Sequence, residues 1–139
     1  MTPEELQPVA FPLANRFFKE NGHKGKARSN ERVFILRDGK PIVAALRATP
    51  KADGYLLRSV WVQIGRRSEG LGSQLVKTTL EQLSPSPCWC YPYNHLEAFY
   101  AHLGFQKTSP DEAPSEISGP YLSYLNKGES FLLMAYQAY

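Results

Sequence analysis

Cysteine, histidine and tryptophan are scarce in this 139-residue chain: two Cys, three His and two Trp. Cys88 and Cys90 are one residue apart in a strand-like run, so their side chains share a face, and this is not zinc-ribbon spacing. With no second ligand pair among the scattered histidines, no metal is expected and the cysteines read as buried free thiols. No apolar run approaches the roughly 20 residues of a membrane span. The N-terminus, with Glu4, Glu5 and prolines at 3, 8 and 12, is no signal peptide. No membrane partner is expected, and the location expected is cytoplasmic. Internal repeats and low-complexity tracts are also absent.

What remains is the composition of a globular domain, 42% hydrophobic and 21% charged. The length suits one core, so residues 1–139 are expected to form a single domain. The net charge of +3 is unevenly spread: residues 1–67 hold 13 Lys and Arg against 6 Asp and Glu, and residues 68–139 hold 3 against 7. A basic half steers a phosphorylated ligand, whether a phosphate-rich cofactor or nucleic acid.

The chain is organised around residues 56–83. Leu56 to Ile64 alternates in a segment rich in β-branched and aromatic residues and predicts a mostly buried strand. A glycine-bearing turn follows, Gly65-Arg66-Arg67-Ser68-Glu69-Gly70-Leu71-Gly72, and then Leu71, Leu75, Val76, Leu80 and Leu83 recur at helical spacing. Such a turn aims backbone N–H groups and the positive end of a helix at an anion, for which phosphate is the natural guest. Two better-known phosphate loops are disfavoured by the letters. Gly65 and Gly70 have Walker-like spacing, but Leu71-Gly72 stands where Lys and Ser or Thr belong; the run from Gly70 also lacks the last glycine of a dinucleotide fingerprint.

The flanking elements complete a mixed sheet. Thr2-Pro3-Glu4-Glu5 reads as a helix start with Thr2 as cap, and Leu13 to Asn21 as a helix stopped by Gly22, with Phe17 and Phe18 in the core. Residues 23–30 are a polar, basic loop. Arg32 to Arg37 and Pro41 to Ala48 predict a hairpin around Asp38-Gly39, and Asp53-Gly54 a second turn into the central strand. Cys88 to Tyr91 predicts a return strand parallel to its predecessor. Asn94 reads as the cap of a helix carrying Leu96, Phe99, Tyr100 and Leu103, with Glu97 as reciprocal partner and Gly104 as its end. Residues 109–119 are expected to be irregular, 121–125 to form a helical turn, and Phe131 to Tyr136 the last strand.

Two segments resemble one family. Arg67-Ser68-Glu69-Gly70-Leu71-Gly72 resembles the Arg/Gln-x-x-Gly-x-Gly/Ala acyl-CoA signature of the GCN5-related N-acetyltransferase (GNAT) family, and Tyr100-Ala101-His102-Leu103-Gly104-Phe105 resembles its second signature, a helical tyrosine followed by Gly-Phe. The resemblance covers residues 31–137 and is weak for residues 1–30. It implies an α/β fold whose mixed sheet splays centrally to admit acetyl-CoA. Main-chain groups of Val60, Trp61 and Val62 would then meet the pantetheine arm and acyl oxygen, and Arg67, Ser68, Glu69, Gly70, Leu71, Gly72 and Ser73 the pyrophosphate, with Arg66 and Arg67 as charged support. The implied reaction is direct acetyl transfer to a primary amine, of a small molecule or a protein, with Tyr100 as general acid toward the leaving thiolate.

Two departures stand out. Where the family often has an asparagine touching pantetheine, this chain has Tyr93, with Asn94 one place later as the cofactor-binding candidate. Neither strand flanking the implied site contains Asp or Glu, so the base is a water, a substrate-contacting residue such as His95, or absent. A missing carboxylate also permits an alternative, a non-catalytic acyl-CoA sensor or interaction module. A nucleic-acid surface built on Lys24, Lys26, Arg28, Arg32, Arg37 and Lys40 ranks below both, because the aromatics there alternate as core positions do. Apolar Phe131 to Met134, read as an exposed last strand, suggests pairing with a second copy as a homodimer.

Overall fold

The apolar alternation of residues 32–51 resolves into two antiparallel neighbours, β2 (Arg32–Arg37) and β3 (Ile42–Lys51), in register from Arg32↔Ala48 to Arg37↔Ile42 around a turn with Gly39 at φ +68°. This is a computed structural model, and it describes residues 1–137. The remaining elements are β1 (Thr2–Leu6), α1 (Phe11–Glu20), β4 (Gly54–Val62), α2 (Leu71–Leu83), β5 (Cys88–Cys90), α3 (Glu97–His102), β6 (Gln106–Lys107), α4 (Ser115–Asn126) and β7 (Met134–Tyr136). The strand order is β1-β2-β3-β4-β5-β7-β6, a mixed α/β sheet with helices packed on it. Two compact units partition the chain, residues 1–49 with 57–82 and residues 50–56 with 83–139.

In the first unit, α1 buries Phe11, Ala14, Phe17 and Phe18, an i, i+3, i+6, i+7 face, against Val33, Ile35 and Ala45 of the sheet. Pro12 lies in the first turn of this helix, where its missing N–H has no intrahelical role, so α1 begins two residues earlier than expected rather than being broken there. Gly22 follows it at φ +81°, the left-handed conformation that ends helices. The N-terminus corrects the sequence reading. Thr2 to Glu5 is not a helix start but part of β1, antiparallel to β2 from Thr2↔Arg37 to Leu6↔Val33. Glu5 meets Arg32 at 2.7 Å and Glu4 meets Arg37 at 2.9 Å, so cross-strand pairing overrides the local capping signal.

β4 carries an irregularity in its middle. Ser59 has φ +57°, rare for a residue with a side chain and the mark of a bulge inside a strand.

In the second unit the start of β4 pairs in parallel with β5 through Tyr55↔Cys88 and Leu56↔Trp89. The pairing stops there, though β4 continues to Val62. Leu56, Trp89, Ile117 and Leu133 form the core of this unit. Both cysteines are buried and unpaired, and burial pushes the Cys88 thiol up to about 12. Three expectations fail here. Asn94 caps no helix: residues 94–96 form a 3-10 turn whose cap position is Tyr93, α3 starts at Glu97, and the Asn94 amide donates to Ser130 Oγ at 3.1 Å. Residues 115–119 belong to α4, which starts behind Pro114, drives the fully buried Ile117 into the core and carries Pro120 internally. The last strand is shorter than residues 131–136 and lies between β5 and β6, with Leu133 and Met134 buried. The physical ground for pairing a second copy there, an exposed edge, is therefore absent.

Candidate active site

The segment from Gln63 to Gly70 is held by its own turns. Arg66 N–H bonds the Gln63 carbonyl at 3.0 Å, and the Arg66 guanidinium bridges Asp38 and Glu69, at 2.9 Å to each carboxylate. Arg66 is thus a clamp between the β2–β3 turn and the glycine loop, its charge already matched by two carboxylates. Arg67 is exposed; its guanidinium lies 4.8 Å from the centre of the Trp61 ring, and its Nε donates to the Val62 carbonyl at 3.3 Å. Gly65 and Gly70 adopt φ of +91° and +76°, which only glycine takes cheaply. The first intrahelical bond of α2 runs from Gln74 N–H to the Gly70 carbonyl at 3.1 Å. The N–H groups of Leu71, Gly72 and Ser73 consequently have no helical acceptor and sit at the positive end of a 13-residue helix. Ser68, Glu69 and Gly70 are exposed beside them.

Ahead of the loop, Val60, Trp61 and Val62 are half-buried. Trp61 donates from Nε1 to the Asn21 carbonyl at 2.7 Å and stacks on His23 with ring centres 4.5 Å apart.

Tyr100 is buried on α3, at 6% exposure, with its ring edge-on to Phe99 and Phe105. Its hydroxyl makes no hydrogen bond among the described residues. Burial, and then the neighbouring Cys90, raise its pKa above the ordinary phenol value, so it is a protonated donor throughout the neutral range. His95 is exposed and stacks against Tyr93.

A polar cluster that sequence reasoning missed lies on the sheet of the first unit. Glu31, at 4% exposure, accepts from Thr49 Oγ1 at 2.6 Å, from the Arg28 N–H at 2.8 Å and from Arg47 Nη1 at 3.1 Å. Arg47 also donates from Nη1 to the Lys26 carbonyl at 2.7 Å and from Nε to Ser59 Oγ at 3.0 Å. Burial presses the Arg47 pKa down; Glu31 opposes this, while Arg58 and Arg28 add to it. His23 stands next to the cluster with Nε2 sealed from solvent and without a hydrogen-bond partner among the described residues, and its pKa is lowered by burial and then by Arg47. The signal was present in the letters: a charged residue, Arg47, inside the apolar run 42–48, and Glu31 at the border of another. Among the described residues no group of three His, Cys, Asp or Glu is placed to hold a metal ion, and no helix is long and apolar enough to cross a membrane.

A family model described as an acetyltransferase (GNAT) domain matches residues 29–107. The chain belongs to the GNAT acetyltransferase family. The match takes in the clamp at Arg66, the glycine loop and Tyr100, but not α1 or α4. Solved structures resemble the GNAT chain along its length. The N-acetylglutamate synthase of Neisseria gonorrhoeae complexed with coenzyme A and L-arginine aligns with 99% of this chain at a TM-score of 0.74 and 14% identity. This chain spans about a third of that enzyme, 33% of its length. Rv2747 of Mycobacterium tuberculosis, in complex with CoA and NLQ, aligns over 100% of both chains at a TM-score of 0.75 and 13% identity. Tetrahymena GCN5 aligns with 100% of this chain and 97% of its own at a TM-score of 0.71 and 12% identity. At these identities the likeness is one of fold. No curated protein matches the chain by sequence.

Proposed function

We propose that this GNAT chain, residues 1–139 acting as one domain, transfers the acetyl group of acetyl-CoA to a primary amine of a small molecule or a protein. The observation that carries the reading is the set of uncommitted N–H groups of Leu71, Gly72 and Ser73 at the start of α2, behind a glycine turn and beside an exposed Arg67. These residues, with Ser68, Glu69 and Gly70, would take the pyrophosphate, since aligned amides at a helix start favour an anion. The main chain of Val60, Trp61 and Val62 would receive the pantetheine arm and the acyl oxygen. Asn94, whose side-chain oxygen is uncommitted, would meet the same arm.

In the reaction the amine nitrogen attacks the thioester carbonyl carbon, the C–N bond forms, the C–S bond breaks, and CoA leaves as a thiolate. Tyr100 gives that sulfur its proton, and the proton shed by the amine goes to solvent, from which the tyrosine is reprotonated. A buried phenol whose hydroxyl is unbonded among the described residues suits this role, because no acceptor there competes for its proton.

The test is titration calorimetry with CoA and acetyl-CoA on the wild type, Gly70→Trp and Tyr100→Phe, paired with thiol release over a panel of amines. Binding abolished by Gly70→Trp, with Tyr100→Phe binding normally but turning over about 10²-fold more slowly, is the expected result. Undiminished turnover by Tyr100→Phe would remove the tyrosine from the mechanism. Binding without turnover on any amine would favour an acyl-CoA sensor.

A further inference from the structure

A cleft of about 280 Å³ lies between α1 and the turn that joins β2 to β3, lined by Leu13, Arg16 and Phe17 on the helix side and by Arg37, Lys40 and Ile42 on the hairpin side. Phe17 is buried and Ile42 half-buried, and Leu13 is left 47% exposed, so the cleft offers apolar surface below a charged rim. Its volume is at the small end of ligand sites, room for one ring and one charged group rather than for a folded partner.

The donors of the rim are only partly used. The Arg37 guanidinium is held in place, with Nε donating to Glu4 at 2.9 Å and Nη1 to the Lys40 carbonyl at 2.6 Å, while Nη2 makes no bond among the described residues. The exposed Lys40 ammonium makes no hydrogen bond or ion pair among the described residues. Arg16 faces Glu20, the carboxylate of the lining, at 3.5 Å, but the two side chains are 78% and 61% exposed, and such a pair restrains a side chain only weakly. A pinned guanidinium with one free edge, a free ammonium and a loosely held second guanidinium approach from two elements. Three donors so arranged suit the three terminal oxygens and double charge of a phosphate monoester better than the two oxygens of a carboxylate.

The turn that carries Lys40 also carries Asp38, whose carboxylate meets Arg66 at 2.9 Å, and Arg66 in turn holds Glu69 of the glycine loop. The Asp38 N–H closes this turn on the Pro41 carbonyl at 3.0 Å, so the cleft and the glycine loop share one fixed piece of backbone. We propose that the cleft binds a phosphate monoester carried on an apolar or aromatic body, with Lys40 and Arg37 Nη2 as its donors and Arg16 as a third. Two sources share that chemistry: the 3′-phosphate of the CoA whose pyrophosphate the loop would take, and a separate phosphorylated molecule bound beside it. The first source rests on the acetyl-transfer reading above; the anion site does not.

The full chain, as wild type, Lys40→Met and Lys40→Arg, is titrated with phenyl phosphate and with phenol while the amide resonances are followed by NMR, and with CoA and dephospho-CoA by calorimetry. Phenyl phosphate, but not phenol, is expected to shift the Lys40 and Ile42 amides. Lys40→Met should weaken that binding about tenfold, the loss of one charge-assisted bond, and Lys40→Arg should restore most of it. A wild type that prefers CoA to dephospho-CoA, with the preference gone in Lys40→Met, assigns the phosphate to the cofactor; equal affinity for the two, with phenyl phosphate still bound, assigns it to a separate ligand. Amides that do not respond to phenyl phosphate, or a response undiminished in Lys40→Met, overturn the proposal. Phenyl phosphate bound by a chain that ignores CoA retains the anion site while removing the acetyl-transfer reading.

Discussion

Trp61 Nε1 donates to the main-chain carbonyl of Asn21 at 2.7 Å, and the side-chain oxygen of the same asparagine accepts the Ile64 N–H at 3.0 Å. One residue past the end of α1 therefore fixes both the last turn of the helix, through its own bond to the Phe17 carbonyl at 2.9 Å, and the exit of β4 toward the glycine loop. Replacing Asn21 with Ala removes two side-chain bonds and keeps the bond from Trp61. The expected loss is about 1–3 kcal/mol in chemical denaturation, with faster hydrogen exchange at the Ile64 amide. An unchanged exchange rate there would show that the loop holds itself.

Two glycines separate steric from conformational cost. At Gly54 a Cβ would lie 2.0 Å from the Pro87 carbonyl oxygen, a backbone atom that cannot swing aside. Gly70 has open space around its missing side chain and φ +76°. Gly54→Ala is expected to cost about 3 kcal/mol or more, as severe overpacking does, while Gly70→Ala costs about 1–2 kcal/mol through its left-handed backbone alone. Thermal melts of the two variants decide the ordering, and a milder Gly54→Ala would mean that the segment before β5 yields.

Glu31 and Arg47 form a buried ion pair with side chains 0% and 7% exposed. Removing the carboxylate with Glu31→Ala leaves Arg47 uncompensated and also strands Thr49 Oγ1 and the Arg28 amide, for an expected loss of about 3–5 kcal/mol. Glu31→Gln keeps one acceptor oxygen, enough for the Arg28 amide, and places an NH2 that can donate to Thr49 Oγ1 where the second carboxylate oxygen was, so it should lose less. Urea midpoints that place both variants equally low would assign the effect to charge alone.

The pKa of His23 is lowered by burial and by Arg47, so the folded state prefers the neutral ring. The stabilisation from keeping it neutral is present above the unfolded value of 6.5 and is lost as pH falls through the lowered folded value. Melting temperature should therefore decline on acidification below about 6.5, and His23→Phe, which retains an aromatic ring against Trp61, should decline less. An NMR titration midpoint for His23 at or above about 6.5, the ordinary imidazole value, would contradict the neutral assignment.

Much of the fold is legible where one local signal dominates. Gly22 and Gly39 sit where an end and a turn were expected, Phe17 and Phe18 are in the core, and the parallel return through Cys88 follows from the helix that precedes it. Local signals misled where distant partners decide. Thr2 to Glu5 has the letters of a capped helix and becomes a strand because β2 offers its edge and two arginines. Asn94 has the letters of a cap, yet its amide turns to Ser130. At the candidate site, the loop and Tyr100 stand out because glycine and tyrosine spacing is itself the signature. The Glu31–Arg47 cluster is assembled from a loop and two strands, and no spacing within any one of them announces it.

The left-handed Ser59 also sets a parity in β4. A bulged residue shifts the side-chain alternation, so positions upstream and downstream of Ser59 are expected to be out of phase on the sheet faces. Deleting Ser59 or Val60 is expected to cancel that change and turn Trp61 away from Asn21 and His23 without altering any of their side chains. A two-residue deletion keeps the parity and loses only length. The spacing of this strand is therefore constrained modulo two, a constraint that its composition does not express.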